Sequence, residues 1–169
     1  ARGMYASIMI FGQNRNWDWG NMSWHENNNV NKDLADAFSS NGYSFFTTDP
    51  DALDIQRALA RKFVDELNDY DNIIWEIINE PGAYDSRAVK WHKAMVTYVQ
   101  TYESTKQKQH PVGMTGGNSL EDEMLSTSAD WIGPDWHIYK TSPPSNNQAG
   151  KPEISSTDHM PKWGGNEQD

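Results

Sequence analysis

The chain has 169 residues and a formal charge of −10 from 14 basic and 24 acidic side chains, a balance that repels phosphate backbones and argues against nucleic acid as a partner. A mean hydropathy of −0.85 and the lack of any apolar run near the ~20 residues of a membrane helix exclude a spanning segment and imply no membrane partner. The absence of cysteine excludes disulfides, thiol catalysis and Cys-ligated zinc, and leaves the compartment open, exported or not.

Tyr5 to Phe11 is a short apolar run ending at Gly12, which predicts a buried strand. A polar loop rich in Asn and Trp follows from Gln13 to Asn31. Asp49-Pro50 is a helix start, with Asp as N-cap and Pro in the first turn; beyond it Ile55, Leu59, Phe63 and Leu67 recur every four residues, predicting a helix from Pro50 to about Asn68 with that line as its apolar face. Asn72 to Asn79 is a second strand, closed by Pro81-Gly82. Ala88, Trp91, Met95, Val99 and Tyr102 mark a second long helix, capped near Asp85 or Ser86. Val112 to Thr115, Trp131 to Tyr139 and Lys151 to Thr157 are further strands, the last two separated by a Pro-, Ser- and Asn-rich loop from Thr141 to Gly150.

Strands alternating with long helices predict an α/β fold around a parallel sheet. No repeat or linker divides the chain, so residues 1–169 read as one unit. Five strands and two long helices fall short of a closed (β/α)8 TIM barrel, which needs eight of each in roughly 250 residues, so the expectation is a partial barrel.

The sharpest chemical signal is Trp75-Glu76-Ile77-Ile78-Asn79-Glu80-Pro81. Strand alternation puts Glu76, Ile78 and Glu80 on one face, which in a barrel points inward, and Glu80 then stands at the C-terminal rim. The segment resembles the Asn-Glu-Pro motif that ends the fourth strand of clan A glycoside hydrolases, the cellulase-like barrels. That resemblance implies that Glu80 is the general acid/base and that Asn79 holds a sugar 2-hydroxyl. His137-Ile138-Tyr139 resembles the His-x-Tyr pattern ending the sixth strand, which implies that His137 and Tyr139 line the subsite. Lys151-Pro152-Glu153-Ile154 is similar to the seventh strand, whose end carries the nucleophile, normally Glu; here it runs into Ser156-Thr157-Asp158-His159, leaving Asp158 as the acid at that end. The course from Phe45-Phe46 to Trp163-Gly164-Gly165 is similar to cellulase-like proteins found among bacterial carbohydrate-degrading genes. It spans the third to seventh strands, so the resemblance implies a single incomplete catalytic domain.

Cleavage of a glycosidic bond needs two carboxyl groups, about 5 to 5.5 Å apart for retention and farther apart for inversion. The expectation is therefore a glycosidase, retaining as in the resembled clan, acting on a carbohydrate substrate through Glu80 and Asp158 with no cofactor. The alternative is a non-catalytic carbohydrate-binding protein on the same scaffold. Trp17, Trp19, Trp24 and Trp163 lie in polar loops where an aromatic ring stacks on a sugar as readily as it packs; Trp24 and Trp163 are the substrate-binding candidates. Trp75, Trp91 and Trp131 fall within strand or helix patterns and read as core, Glu76 as a hydrogen-bonded interior acid, and His92 and His110 as structural or solvent-facing. His25-Glu26 and Asp158-His159 lack a metal-site spacing or a third ligand, so no metal site is expected.

Overall fold

Asp49 and Pro50 start the first long helix as their chemistry predicts. The Asp49 carboxylate accepts the Ala52 N–H at 3.0 Å, and Pro50 occupies a first-turn position where its missing amide costs no helical bond. The computed structural model describes residues 3–12, 16–30, 38, 42–79, 81, 86–116, 121–134 and 150–154. Its elements follow as β1 (Ala6–Phe11), α1 (Pro50–Leu67), β2 (Ile73–Ile78), α2 (Ser86–Glu103), β3 (Val112–Gly116), α3 (Glu121–Leu125) and β4 (Trp131–Pro134). Single 3-10 turns lie at Asn16–Asn21 and Gly42–Phe45, the first of them inside the stretch expected to be loop.

The strands form one four-stranded sheet in the order β1-β2-β3-β4, every pair parallel. The fold is therefore α/β with a parallel sheet. The segment 150–154 extends it beyond β4: Ile132 N–H donates to the Pro152 carbonyl at 2.9 Å and Ile154 N–H to the Ile132 carbonyl at 2.8 Å, a parallel bridge of Ile132 with Glu153.

Alternation along β2 separates two environments. Ile73, Trp75 and Ile77 are buried, and the Trp75 Nε1–H donates to Glu103 of α2 at 2.9 Å, so this row faces the helices. Ile74 and Glu76 are half-buried on the other row, in register with Ser7 and Met9 of β1, and Met9 is 43% exposed. Glu76 also pairs across the sheet with Gly113, and Gly113 with Trp131. The Trp131 indole lies in the space that a Cβ on Gly113 would fill, which is why glycine stands in the middle of β3.

The buried line of α1 is Ala52, Gln56, Ala60 and Val64, not the expected Ile55, Leu59, Phe63 and Leu67. Alanine at two of these positions lets the helix backbone approach its neighbours, and Leu59, Phe63 and Leu67 fill the flanks as partly buried residues packed against the core. Gln56 is fully buried and satisfied at both ends of its amide: Nε2–H donates to the Phe45 carbonyl at 2.8 Å, and Oε1 accepts the Trp91 Nε1–H at 2.8 Å. Trp75, Trp91 and Trp131 are core residues, as their place in the pattern predicts.

His92 of α2 is fully buried, and neither ring nitrogen has a hydrogen-bond partner among the described residues. Burial pushes it down to about 3 from 6.5, because a charged ring would lose its hydration. As pH falls below 6.5 the unfolded chain takes up this proton before the folded chain does, so stability present above that pH is lost on the way to about 3. The slope from this one group approaches about 1.4 kcal/mol per pH unit. His92→Leu should flatten the acid limb of a urea-midpoint profile between those pH values; an unchanged slope would contradict the assignment. Asp65 and Asp71, held below 3.8 first by Lys106 and Lys108, act in the same direction only at lower pH. Gly113→Ala should cost about 1 to 3 kcal/mol by driving Trp131 off β3, read as a lower denaturant midpoint; wild-type stability would show that the ring is not held there.

Candidate functional site

In a parallel sheet all strands end at the same edge, and that edge is where loops converge on a ligand. β1 ends at Phe11 and β2 at Ile78, and these two residues are paired in register. Asn79 follows directly, half-buried at the edge, and Pro81 beyond it is buried. The Thr115 hydroxyl of β3 donates to the Ile78 carbonyl at 2.7 Å, which fixes the backbone immediately before Asn79 from the neighbouring strand.

Below this edge, Glu76 accepts the Ser7 hydroxyl at 3.3 Å. It is thus a hydrogen-bonded acid within the sheet, as expected. Glu76 is half-buried, so the carboxylate meets partial solvent, while Ile73, Trp75 and Ile77 on the opposite row of β2 are buried.

The loop after β1 folds back on the edge through aromatic contacts. Trp24 is half-buried, with its ring 5.4 Å from Phe38, 5.3 Å from Phe45 and 6.3 Å from Phe11, in edge-to-face or tilted geometry. Phe45 and Phe11 continue the cluster to Trp91 of α2 at 5.1 and 5.3 Å. The rim aromatic therefore has a core to join, because Phe38 and the Gly42–Phe45 turn close over the end of β1. Trp19, expected beside it as a stacking candidate, is only 4% exposed and belongs to the core. The loop is tied internally: Asn28 Nδ2–H donates to the Gly20 and Met22 carbonyls at 2.8 and 2.9 Å, and Asn27 N–H donates to His25 Nδ1 at 3.1 Å.

Of the expected site residues, Asn79 and Trp24 flank the same C-terminal edge. Glu80, His137, Tyr139, Asp158 and Trp163 lie outside the described residues, as does the Trp17 side chain. No group of three His, Asp or Glu that could hold a metal ion occurs among the described residues. No helix of the described residues is long and apolar enough to cross a membrane. A cleft of about 640 Å³ opens at the other end of the sheet, lined by residues 3–5 and 69–72.

His110, which the sequence leaves between structural and exposed, is buried beside Glu103 at that other end. The signal for it was local: a histidine before Pro111, seven residues after an acid at a helix end. Only tertiary packing brings the two together.

Truncating Trp24 to Ala removes three ring contacts and should cost about 2 to 3 kcal/mol, near the low end for an aromatic because the ring is half-buried. Thermal or urea unfolding reads this directly. Wild-type stability for Trp24→Ala would mean that the ring serves something other than packing.

No family model matches the chain, and no curated protein or solved structure matches it either.

Proposed function

We propose that the chain is the central part of a (β/α)8-barrel glycoside hydrolase, with Glu80 as general acid/base and Asn79 as a ligand of the substrate. One observation carries this reading. β2 stops at Ile78 with Asn79-Glu80-Pro81 next in sequence, inside a parallel sheet whose strands lie side by side in chain order. Consecutive order is what an arc of barrel requires; a doubly wound sheet instead reverses direction at a switch point.

In this mechanism Glu80 protonates the leaving oxygen and, where the second carboxylate has attacked the anomeric carbon, later draws a proton from the water that releases the sugar. Asn79 holds a sugar hydroxyl, which orients the ring and fixes the scissile bond over Glu80. A second carboxylate, for which Asp158 is the candidate, attacks the anomeric carbon or activates a water. His137, Tyr139 and Trp163 would complete the subsite, with carbohydrate as the ligand and no cofactor.

A non-catalytic carbohydrate-binding protein is the second reading, and the position of Glu153 favours keeping it. Glu153 bridges to Ile132, two residues before Pro134 at the end of β4, and so stands short of the strand end where a nucleophile belongs. A panel of aryl glycosides and polysaccharides separates the two. The enzyme reading expects turnover that Glu80→Gln lowers by several orders of magnitude with the fold retained. It also expects Asp158→Asn to lose activity that azide restores in part as a glycosyl azide. Binding without turnover supports the second reading, and turnover indifferent to Glu80→Gln removes the first.

A further inference from the structure

His110 closes the N-terminal end of the sheet with an unusual demand on its protons. Nδ1 lies 2.6 Å from Glu103 Oε1, and Nε2 lies 2.7 Å from the Tyr70 carbonyl oxygen. Both neighbours are acceptors, and a neutral imidazole has one N–H, so it can donate to only one of them. Glu103 is committed as an acceptor already: its Oε1 takes the Trp75 Nε1–H at 2.9 Å and its Oε2 the His110 backbone N–H at 3.0 Å. Its side chain is 1% exposed and that of His110 4%, so water is not at hand to replace a lost partner.

We propose that His110 is a proton-operated clasp, which ties the 69–72 turn to the end of α2 while both ring nitrogens carry protons and lets the turn go when one proton leaves. The bond to Glu103 is charge-assisted and the stronger of the two, so the remaining proton stays on Nδ1 and the Tyr70 carbonyl is released.

Titratable and charged groups stand around the ring on every side. From α2 comes Glu103, in direct contact. The turn after α1 brings Asp71, whose carboxyl is held low first by Lys108 and also by His110. Lys108, between α2 and β3, is the opposing cation, but it is engaged by Asp71 Oδ1 and the Asp69 carbonyl, each at 2.6 Å. From β2 the Trp75 ring stands perpendicular to the imidazole at 6.1 Å. Asp130, from the turn after α3, takes the Val112 N–H at 2.9 Å and the Gln100 amide at 3.0 Å.

Release of Tyr70 would not stop at the ring. Ala6 N–H donates to the Asn72 carbonyl at 2.8 Å, and Asn72 Nδ2–H to the Met4 carbonyl at 3.2 Å, so the turn positions the start of β1. Residues 3–5 and 69–72 are also the walls of the cleft at this end. The clasp thus sets the shape of that cleft by pH.

Nitrogen-15 NMR of the histidine rings in the full chain, with amide-exchange protection at Ala6 and Tyr70, tests the proposal between about pH 5 and about pH 8. The expected result is a doubly protonated His110 ring at the acid end that becomes an Nδ1–H ring as pH rises, with a several-fold loss of protection at both amides in step. His110→Gln, which cannot titrate, should show no such step. A ring in one protonation state throughout overturns the clasp, as does the same step in His110→Gln. If that variant fails to fold, the wild-type spectra alone decide.

Discussion

Parallel pairing of each strand with its neighbour in sequence is the constraint on which the rest of the structure depends. A tight turn cannot join two parallel strands, so the chain must leave at one edge and cross a face to return at the other. α2 makes that return against β2 and β3, α3 against β3 and β4, and α1 leads into β2. The face they cross is covered by the returns themselves, which accounts for Trp75 and Ile77 being fully buried while Met9 and Glu76 on the other row keep partial access to solvent.

Covering that face forces polar groups into the interior, and each must find a partner or cost roughly 1 to 3 kcal/mol. Three reciprocal arrangements answer this. Gln56 joins α1 to the Phe45 turn and to Trp91; Glu103 joins α2 to β2 and to the backbone before β3; Asn68 exchanges two bonds with Lys108, Nδ2–H to its carbonyl at 2.8 Å and Oδ1 from its N–H at 3.2 Å. All three lie between consecutive returns, where two helices and a strand must keep a fixed spacing. Outside them, the α1–α2 seam is finished by half-exposed pairs such as Tyr102 with Asp65, which orient the helices more than they stabilise them.

The sequence reveals elements whose signal is local and hides those whose signal is not. The Asp49-Pro50 start of α1 and the Pro81 stop after β2 are chemical punctuation, and both stand where the residues say. The buried line of α1 was misread by one residue because Ala52 and Ala60 carry little hydrophobic weight in a pattern, yet their small size lets a helix lie close. α3, at Glu121–Leu125, is too short to display a period. Trp19 and Trp24 sit among Asn and Gly, and nothing near them foretells that Trp19 will be buried or that Phe38 and Phe45 will pack on Trp24. Of the candidate site, the motif and its strand were legible in one stretch, 75–81. A second carboxylate for the proposed chemistry was not legible, because an acid brought across a sheet from another part of the chain has no local signature.

The described strands narrow where the second carboxylate of the proposed mechanism could stand. Glu76 lies within β2, two residues before its last residue, Ile78. Its bond to Ser7 on β1 turns it toward the sheet rather than the edge. The last two residues of β1, β3 and β4 are Ile10-Phe11, Thr115-Gly116 and Gly133-Pro134, with no carboxyl group among them. Glu153 bridges to Ile132, two residues before the last residue of β4 rather than at the strand end. If Glu80 acts as an acid, its partner therefore rises from a loop at the C-terminal edge or from the residues that follow segment 150–154, and in that second stretch the first carboxyl group is Asp158.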